Sequence, residues 1–370
     1  MPVQQQRKKG EADYLLLSYF VLLLLFGLIM LTSASSVTAF DRFGDTYFFI
    51  KRQLMYGVAP GIVAFLFFSK LPFAMLKKVG MIFFYVSMAL LIAVLIPGVG
   101  AELNTGARSW LVIAGFSLQP AELVKLGMIF FLAHQLSVRG KELQDFQRGF
   151  LPVLVLGLIP VGLVILQPDV GTASILFAIV FGLFFIARAK ISHLGGLALM
   201  ALIAFVVLIA IAPYRAARFT TFLHPELDPQ GIGYHINQAF LAIGSGGWIG
   251  LGLGHSEQKF QYLPEVHADS IFAVIAEETG FIVTTGIIVL LVFISVRGLR
   301  VAKYAPDEYS RLLVAGIIIW LTVQSFFNIS AMVGLMPITG EPLPFISHGG
   351  SALAIAMGSV GVLVNVSRRT

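Results

Sequence analysis

The sequence is dominated by long apolar segments that short polar connections separate. Ten of them are apolar enough to cross a bilayer, which takes about 17–25 mostly apolar residues. These spans are predicted at 14–36, 53–69, 79–97, 120–137, 150–166, 171–187, 192–212, 270–296, 311–332 and 350–367. Charged residues make up 12% of the chain, whereas soluble domains carry about 25%. The sequence therefore predicts an all-α polytopic membrane protein with ten transmembrane helices.

No polar block is long enough for a separate soluble domain, so residues 1–370 are predicted to form a single integral membrane domain. Cytoplasmic connections of membrane proteins carry an excess of Lys and Arg. With the N-terminus inside, 17 of the 25 basic residues fall in inside segments and seven fall outside, while Lys125 lies in a span. This bias predicts that both termini are cytoplasmic. The longest connection, about 213–269 between the seventh and eighth spans, is then extracytoplasmic, and short helices and turns are expected there.

Composition excludes several kinds of site. The chain has no Cys, which rules out disulfides and Cys-ligated metal centres. Its net charge of +6 is spread in short groups between apolar segments, which does not favour nucleic-acid binding. The first apolar run is longer than a signal-peptide core and is interpreted as a retained span. Gly-x-Gly patterns within 244–254 lack a strand–turn–helix context, so close backbone packing is favoured over a nucleotide loop.

A dense group of ionisable residues lies at the mouth of the eighth span. Glu265, His267 and Asp269 precede this span, and Glu277 and Glu278 follow inside it. Carboxylates at such a position are costly to desolvate and usually have a function. Asp269 is the strongest catalytic candidate, with a plain helix cap as the alternative, and Glu277 is expected to share its helix face. His267 and Asp269 are also close enough to share a metal, although a His-x-Asp pair alone is a weak signal.

Cationic residues on the same outer side give two further candidates. Arg108, Glu122 and Lys125 bracket the start of the fourth span, and Glu122 and Lys125 share a helix face. They either bind an anionic ligand, with Glu122 holding Lys125 in place, or form a buried ion pair that locks helices together. Arg215 and Arg218 either bind a pyrophosphate through their guanidinium groups or anchor the chain to lipid phosphates.

Six motifs carry a family resemblance that covers nearly the whole chain. They are Arg108-Ser109-Trp110, Gln119-Pro120-Ala121-Glu122-Leu123-Val124-Lys125, Gln167-Pro168-Asp169-Val170-Gly171-Thr172, Gly231-Ile232-Gly233-Tyr234-His235, residues 263–278, and Pro342-Leu343-Pro344-Phe345-Ile346-Ser347-His348-Gly349-Gly350-Ser351. Together and in this order they resemble the SEDS proteins (shape, elongation, division and sporulation), the family of the RodA and FtsW peptidoglycan polymerases. The segments 32–36 and 49–53 resemble FtsW more than RodA. Ser270, Glu341 and His348 depart from the family's usual residues.

The resemblance implies an enzyme that polymerises lipid II into glycan strands at the outer face of the bacterial cytoplasmic membrane. It places the family's essential aspartate at Asp269 and its conserved basic residues at Arg108 and Lys125. Asp269 is expected to take the proton of the acceptor sugar hydroxyl, either directly or through a bound divalent cation, Mg²⁺ or Mn²⁺. Asp169 is interpreted as the N-terminal cap of the sixth span. The candidate substrate-binding residues are Arg108, Glu122, Lys125, Arg215, Arg218, Glu265, His267 and Ser347.

The resemblance also implies partners. These are lipid II as substrate, a single-span class B penicillin-binding protein, and other proteins of the division or elongation machinery, with no nucleotide and no nucleic acid. Two other functions remain open. A lipid II flippase would also place polar residues within spans, although here the ionisable groups cluster on the outer side. A non-catalytic scaffold of the division machinery would tolerate the loss of Asp269.

Overall fold

The computed structural model describes residues 11–101, 109–113, 116–229, 231–260 and 262–370. The described residues form α1 (Tyr14–Phe43), α2 (Phe48–Gln53), α3 (Ala59–Lys70), α4 (Phe73–Val94), α5 (Pro120–Arg139), α6 (Leu151–Ile165), α7 (Val170–Ile186), α8 (Ile191–Ile211), α9 (Pro213–Leu223), α10 (Ile232–Ser245), α11 (Ile271–Lys303), α12 (Glu308–Met332) and α13 (Gly350–Ser367). A short antiparallel hairpin, β1 (Leu111–Ile113) and β2 (Phe116–Leu118), precedes α5 and is an addition to the predicted all-α fold. A π-helical turn, Leu54–Val58, joins α2 to α3.

Every predicted span falls on a helix. Within the described ranges, nine continuous helical stretches are long and apolar enough to cross a membrane, and they match nine of the ten predicted spans. The tenth, predicted at 171–187, corresponds to α7, which has 17 residues. At 1.5 Å per residue α7 is about 26 Å long, slightly less than the roughly 30 Å hydrocarbon core. The polytopic helical architecture is therefore confirmed, and the tenth crossing stays a prediction.

The helices differ strongly in how much surface they bury. Most residues of α5, α12 and α13 are buried, so these helices form the centre of the bundle. In α8 the buried residues are Leu194 and Leu197, and large apolar side chains such as Leu202 and Val206 point outward. In a bilayer such exposure costs nothing, because lipid tails are as apolar as the side chains. α8 is therefore a peripheral helix with lipid on most of its surface.

Local sequence explains where several helices begin and end. Asp13 caps α1 by accepting a hydrogen bond from the Leu16 amide, and Gly44 ends the same helix in a left-handed conformation. Pro120 occupies the first turn of α5, where its missing N–H costs no hydrogen bond. The Oδ1 atom of Asp169 accepts a hydrogen bond from the Thr172 amide, 2.9 Å away, and so caps α7. The predicted capping role of Asp169 is confirmed.

The segment 213–269 folds as α9, a short 3₁₀ helix, α10 and a series of turns that pack on α11. α11 is interrupted at Gly280, whose φ of 73° takes it out of the helical region. The freed carbonyl groups of Glu277 and Glu278 accept hydrogen bonds from the Leu251 and Gly252 amides, each 3.0 Å long. A Cβ at Gly280 would lie 2.2 Å from the backbone nitrogen of Gly250. The glycine-rich stretch therefore serves close backbone packing, as predicted.

Candidate active site

A cavity of about 620 Å³ opens between α7, α8, α9, α12 and the segment before α11. One wall is apolar and is formed mainly by Phe205, Leu208 and Ile209 of α8, together with Phe219 and Phe327. The other wall carries the charged side chains, which are Asp169, Arg215, Arg218, Asp269 and Glu341. A site with one apolar and one ionic wall suits an amphiphilic ligand with a charged head group and a hydrocarbon tail.

Asp269 stands immediately outside α11, since this helix begins at Ile271. Its backbone carbonyl accepts a hydrogen bond from Asn328 Nδ2 at 2.8 Å, and the carbonyl of Ala268 accepts one from Ser347 Oγ at 2.6 Å. These bonds fix the main chain and leave the carboxylate at the cavity wall. Burial raises the pKa of Asp269 to about 6, and the negative charge of Glu265 acts in the same direction. A carboxylate with this pKa is ionised at neutral pH and is a stronger base than an ordinary aspartate.

Arg215 and Arg218 place two guanidinium groups in the same cavity. They are three residues apart on α9, so they lie on one face of the helix. Arg215 Nη1 donates a hydrogen bond to the carbonyl of Leu208 at 3.3 Å, which ties α9 to the end of α8. The structure therefore brings the predicted base and the two predicted phosphate-binding arginines to one cavity. Guanidinium groups in this arrangement match the geometry of phosphate oxygens.

Lys125 and Glu122 lie behind the cavity wall. Lys125 has no exposed surface, and its Nζ atom lies 2.8 Å from Glu122, 2.9 Å from Gln324 and 3.3 Å from Glu341. This surrounding corresponds to the ion pair that locks helices together, one of the two alternatives that the sequence leaves open. Glu341 alone among these partners also lines the cavity, so it connects Lys125 to the site. Direct contact of Lys125 or Glu122 with a substrate stays a prediction.

Thr172 links Glu341 to Asp169. Its hydroxyl oxygen lies 2.6 Å from Glu341 Oε1 and 2.7 Å from Asp169 Oδ2. A hydroxyl group has one proton to donate, so two ionised carboxylates cannot both accept it. Burial, followed by the charge of Glu341, raises the pKa of Asp169 to about 6. A protonated Asp169 would complete the chain by donating its own proton to Thr172.

Glu265, His267 and Ser347 lie near Asp269 but outside the residues that line the cavity. His267 is buried with its ring stacked 4.1 Å from that of Phe49, and its Nε2 lies 3.6 Å from the half-exposed carboxylate of Glu265. Burial lowers the pKa of His267 to about 4, so the ring is neutral at pH 7. Ser347 is buried and holds the main chain before Asp269. Arg108 lies outside the described residues.

Glu277 and Glu278 are not among the residues that line the cavity. Glu277 accepts hydrogen bonds from the Ser256 hydroxyl and from the Glu257 amide, and Glu278 accepts them from Ser33 and from Lys259 Nζ at 2.8 Å. The predicted helix face shared by Asp269 and Glu277 does not form, because Asp269 precedes the helix that carries Glu277.

Sequence reasoning missed three side chains that shape the site. Asn328 Nδ2 donates both to the carbonyl of Asp269 and to that of Glu341, at 2.8 and 2.9 Å, and so holds two walls of the cavity together. His235 Nε2 lies 2.6 Å from Ser270 Oγ, which lies 3.4 Å from Asp269 Oδ1. A polar Asn inside a predicted span is costly, so the sequence alone marks Asn328 as a candidate for a functional or structural hydrogen bond. No local pattern could have paired His235 with Ser270.

The described residues do not offer a ready site for the expected divalent cation. Among them, no group of three or more His, Cys, Asp or Glu side chains is arranged to hold a metal ion. Mg²⁺ is often held by one or two carboxylates, with substrate phosphates and water completing its six ligands. Asp269 could supply one such carboxylate, so the cation stays a prediction, and the steps below describe what the side chains themselves do.

Comparisons with known proteins match nearly the whole chain. A family model described as "Cell cycle protein", which represents FtsW, RodA and SpoVE, matches residues 13–370. Stage V sporulation protein E of Bacillus subtilis (strain 168) is 43% identical over 361 residues, with 98% of each chain covered. A probable peptidoglycan glycosyltransferase FtsW of Trichlorobacter lovleyi is 38% identical over 358 residues, which cover 97% of this chain and 93% of the relative.

Solved structures show the same fold. One chain comes from a peptidoglycan synthase complex described as coordinating polymerization and crosslinking; it superposes with a TM-score of 0.79 at 29% identity over 96% of this chain and 98% of its own. The rod shape determining protein RodA of Thermus thermophilus superposes with a TM-score of 0.70 at 27% identity, over 96% of this chain and 97% of RodA. The architecture described above is therefore found in experimentally determined relatives.

Proposed function

Since the chain belongs to the cell cycle protein family of FtsW, RodA and SpoVE, the SEDS family that its motifs resemble, we propose that it is a peptidoglycan glycosyltransferase. It is a multi-pass membrane protein that joins lipid II units into glycan strands for cell division or elongation. One observation carries the assignment of the site. A single cavity is lined by a carboxylate, Asp269, by two guanidinium groups, Arg215 and Arg218, and by apolar side chains of α8.

The cavity matches the chemistry of lipid II. The substrate has a long isoprenoid tail, a pyrophosphate and a disaccharide, and these need an apolar wall, cationic groups and a polar opening in that order. Phe205, Leu208 and Ile209 of α8 form the apolar wall next to the bilayer, and Arg215 and Arg218 follow directly on α9. The tail can therefore stay in lipid while the pyrophosphate reaches the arginines.

Asp269 acts as the general base of the transfer. Its carboxylate removes the proton from the 4-hydroxyl of the acceptor N-acetylglucosamine as the oxygen of this hydroxyl bonds to the anomeric carbon of the donor. The bond from that carbon to the pyrophosphate oxygen breaks, and the pyrophosphate leaves on its lipid with the electron pair. Such positioned proton transfer contributes about 10²–10⁴-fold to a rate. The proton on Asp269 is then released to water in the cavity.

Arg215 and Arg218 stabilise the leaving group. Negative charge grows on the pyrophosphate as the glycosidic bond breaks, and hydrogen bonds from guanidinium groups become stronger with that charge. Charge-assisted hydrogen bonds contribute about 1.5–3 kcal/mol each, which corresponds to roughly 10- to 150-fold in rate. Glu122 and Lys125 support this wall from behind, and Glu341 connects Lys125 to it.

The proposal is tested by glycan-chain synthesis from lipid II with purified protein and its partner. Asp269→Ala should abolish polymerisation while the protein stays folded. Glu257→Gln is the matched control, because Glu257 is an exposed carboxylate on the same outer segment and outside the cavity-lining residues. Normal chain synthesis by Asp269→Ala would refute the role of Asp269. A polymerisation-inactive wild-type protein that moves lipid II across liposome membranes would instead support a flippase.

Location and partners follow from the same reaction. The chain lies in the bacterial cytoplasmic membrane with both termini in the cytoplasm, so that the cavity faces outward, where lipid II sugars are exposed. Its partner is a single-span class B penicillin-binding protein, whose transpeptidase domain crosslinks the new strands. The solved relative from a synthase complex that couples polymerization to crosslinking supports such a pairing. Accessibility of Cys residues introduced at Lys190 and at Glu257 to an impermeant reagent would test the orientation.

A further inference from the structure

His235 and Ser270 connect the outer helix α10 to the residue next to the proposed base. Ser270 is fully buried, and its Oγ lies 2.6 Å from His235 Nε2 and 3.4 Å from Asp269 Oδ1. The first distance is that of a strong hydrogen bond, whereas the second is long. Hydrogen bonds in active sites without substrate are often long and shorten when the substrate binds.

Ser270 occupies a position where a Ser hydroxyl ordinarily caps the helix that follows. It is the N-cap residue of α11, and a Ser there usually accepts a hydrogen bond from an amide in the first turn. The Ser270 side chain makes no such capping bond. Its hydroxyl is turned towards His235 and Asp269, so helix capping does not account for the residue.

The protonation state of His235 decides what the hydroxyl can do. Burial, with the positive charge of Arg218, lowers the pKa of His235 to about 4, so the ring is neutral at pH 7. A neutral imidazole carries its proton on one nitrogen. If Nε2 carries it, His235 donates to Ser270 Oγ, and the single proton of Ser270 is free for Asp269. If Nδ1 carries it, Ser270 donates to His235 and can give nothing to Asp269.

We propose that His235 and Ser270 are positioning residues for Asp269, with His235 Nε2–H donating to Ser270 Oγ and the Ser270 hydroxyl donating to Asp269 Oδ1. This inference rests on the proposed role of Asp269 as the base. Fixing Oδ1 in this way leaves Oδ2 to receive the proton of the acceptor hydroxyl. The relay also couples the base to α10, which belongs to the outer segment between α8 and α11.

The experiment compares Ser270→Ala, His235→Leu and His235→Gln with the wild type in lipid II polymerisation by the full chain with its partner. Loss of this long positioning hydrogen bond to Asp269 should lower kcat about 3- to 10-fold in Ser270→Ala and in His235→Leu. KM for lipid II should stay within about twofold, because neither residue lines the cavity. The Gln amide of His235→Gln can still donate to Ser270, so this variant should recover most of the rate.

A double variant distinguishes a relay from two independent anchors. If both residues act through one chain of hydrogen bonds, Ser270→Ala with His235→Leu should be no slower than either single variant. A wild-type kcat in Ser270→Ala would overturn the proposal. So would rate losses that multiply in the double variant, or that His235→Gln fails to recover. Ser270→Ala removes a single oxygen atom, so it remains a test even where His235→Leu does not fold.

Failure of the relay and failure of the proposed function give different results. Active Asp269→Ala protein would remove the proposed base and the relay with it. Inactive Asp269→Ala together with fully active Ser270→Ala and His235→Leu would remove the relay alone. Thermal unfolding of each variant, measured in parallel, shows whether a rate loss only reflects a loosened contact between α10 and α11.

Discussion

Asp269 and the pair Glu277 and Glu278 lie within ten residues of each other along the chain, yet their carboxylates have different surroundings. Asp269 is half-buried at the wall of a cavity and has a long contact with Ser270 as its side-chain partner. Glu277 and Glu278 are fully buried and accept hydrogen bonds or an ion pair from Ser33, Lys259 and the 256–258 segment. The Asp269 carboxylate can therefore accept a hydrogen bond from a ligand in the cavity, whereas the carboxylates of Glu277 and Glu278 already accept hydrogen bonds from the protein.

The contrast shows what separates a catalytic carboxylate from a structural one at the mouth of a membrane helix. Burying a charge is costly unless donors surround it. The carboxylates of Glu277 and Glu278 receive such donors from the 256–258 segment, Lys259 and Ser33. These residues clamp the outer segment to α11. Asp269 instead lines the cavity, and among the described residues its side-chain donor is the Ser270 hydroxyl at 3.4 Å, so its carboxylate can accept a proton from a bound ligand.

The largest expected effect comes from Asp269→Asn. This substitution keeps the shape of the side chain but removes the base, so polymerisation should fall by about 10²–10⁴-fold. Stability should not fall. The folded-state pKa of about 6 lies above the ordinary value of about 3.9. Ionised Asp269 therefore disfavours the folded state at pH 7, and Asn removes this cost. The polymerisation rate and the melting temperature are measured in parallel. Surviving activity, or a sharp fall in the melting temperature, would show that Asp269 is not a catalytic carboxylate distinct from the structural Glu277 and Glu278.

Lys259→Met should have the opposite profile, a large loss of stability with little change in chemistry. Lys259 and Glu278 form a buried ion pair, with side chains 2% and 0% exposed. Removing one partner of a buried pair costs about 3–5 kcal/mol, because the other charge stays buried and unpaired. Adding Glu278→Gln should restore part of this loss. Thermal unfolding measures both variants, and a double variant less stable than Lys259→Met would show that the pair is not the cause.

The sequence predicts the bundle far better than the site. Each apolar run of bilayer length falls on a helix, because hydrophobic length alone decides which segments enter a membrane. The capping role of Asp169 is predictable because capping is local. The sequence also marks Asp269, Arg215 and Arg218 as candidates, but their common cavity depends on how α8 and α9 pack, which no local pattern encodes.

The wrong expectation and the missed residues have the same physical origin. Glu277 was expected to lie on one face with Asp269, but the helix begins after Asp269, and Glu277 turns to the 256–258 segment. The departures from the family's pattern at Ser270 and Glu341 both fall at the ionic wall, since Glu341 lines it and Ser270 contacts Asp269. Their partners, His235 and Lys125, are 35 and 216 residues away along the chain. Such pairings follow from the tertiary fold.

Asn328→Leu tests the residue that holds the main chain of Asp269 in place. It should impair both stability and activity, unlike the variants above. Asn328 donates to the carbonyls of Asp269 and Glu341, and leaving buried carbonyls without donors costs about 1–3 kcal/mol. The main chain that carries Asp269 would then shift, and the rate should drop by roughly tenfold, as misplacement by a fraction of an ångström suffices. Unchanged melting temperature and unchanged rate together would show that Asp269 is held by other contacts.

The smallest effect, and the most specific one, is the pH dependence of kcat/KM. The base must be ionised, so the rate should be constant above the pKa of about 6 and fall about tenfold for each pH unit below it. At pH 5 the loss is therefore about tenfold. Asp169 has a similarly raised pKa of about 6, so Asp169→Asn is the necessary control. If this variant keeps the fall below pH 6, the ionisation belongs to Asp269; if the fall disappears, Asp169 is the group whose ionisation the rate reports.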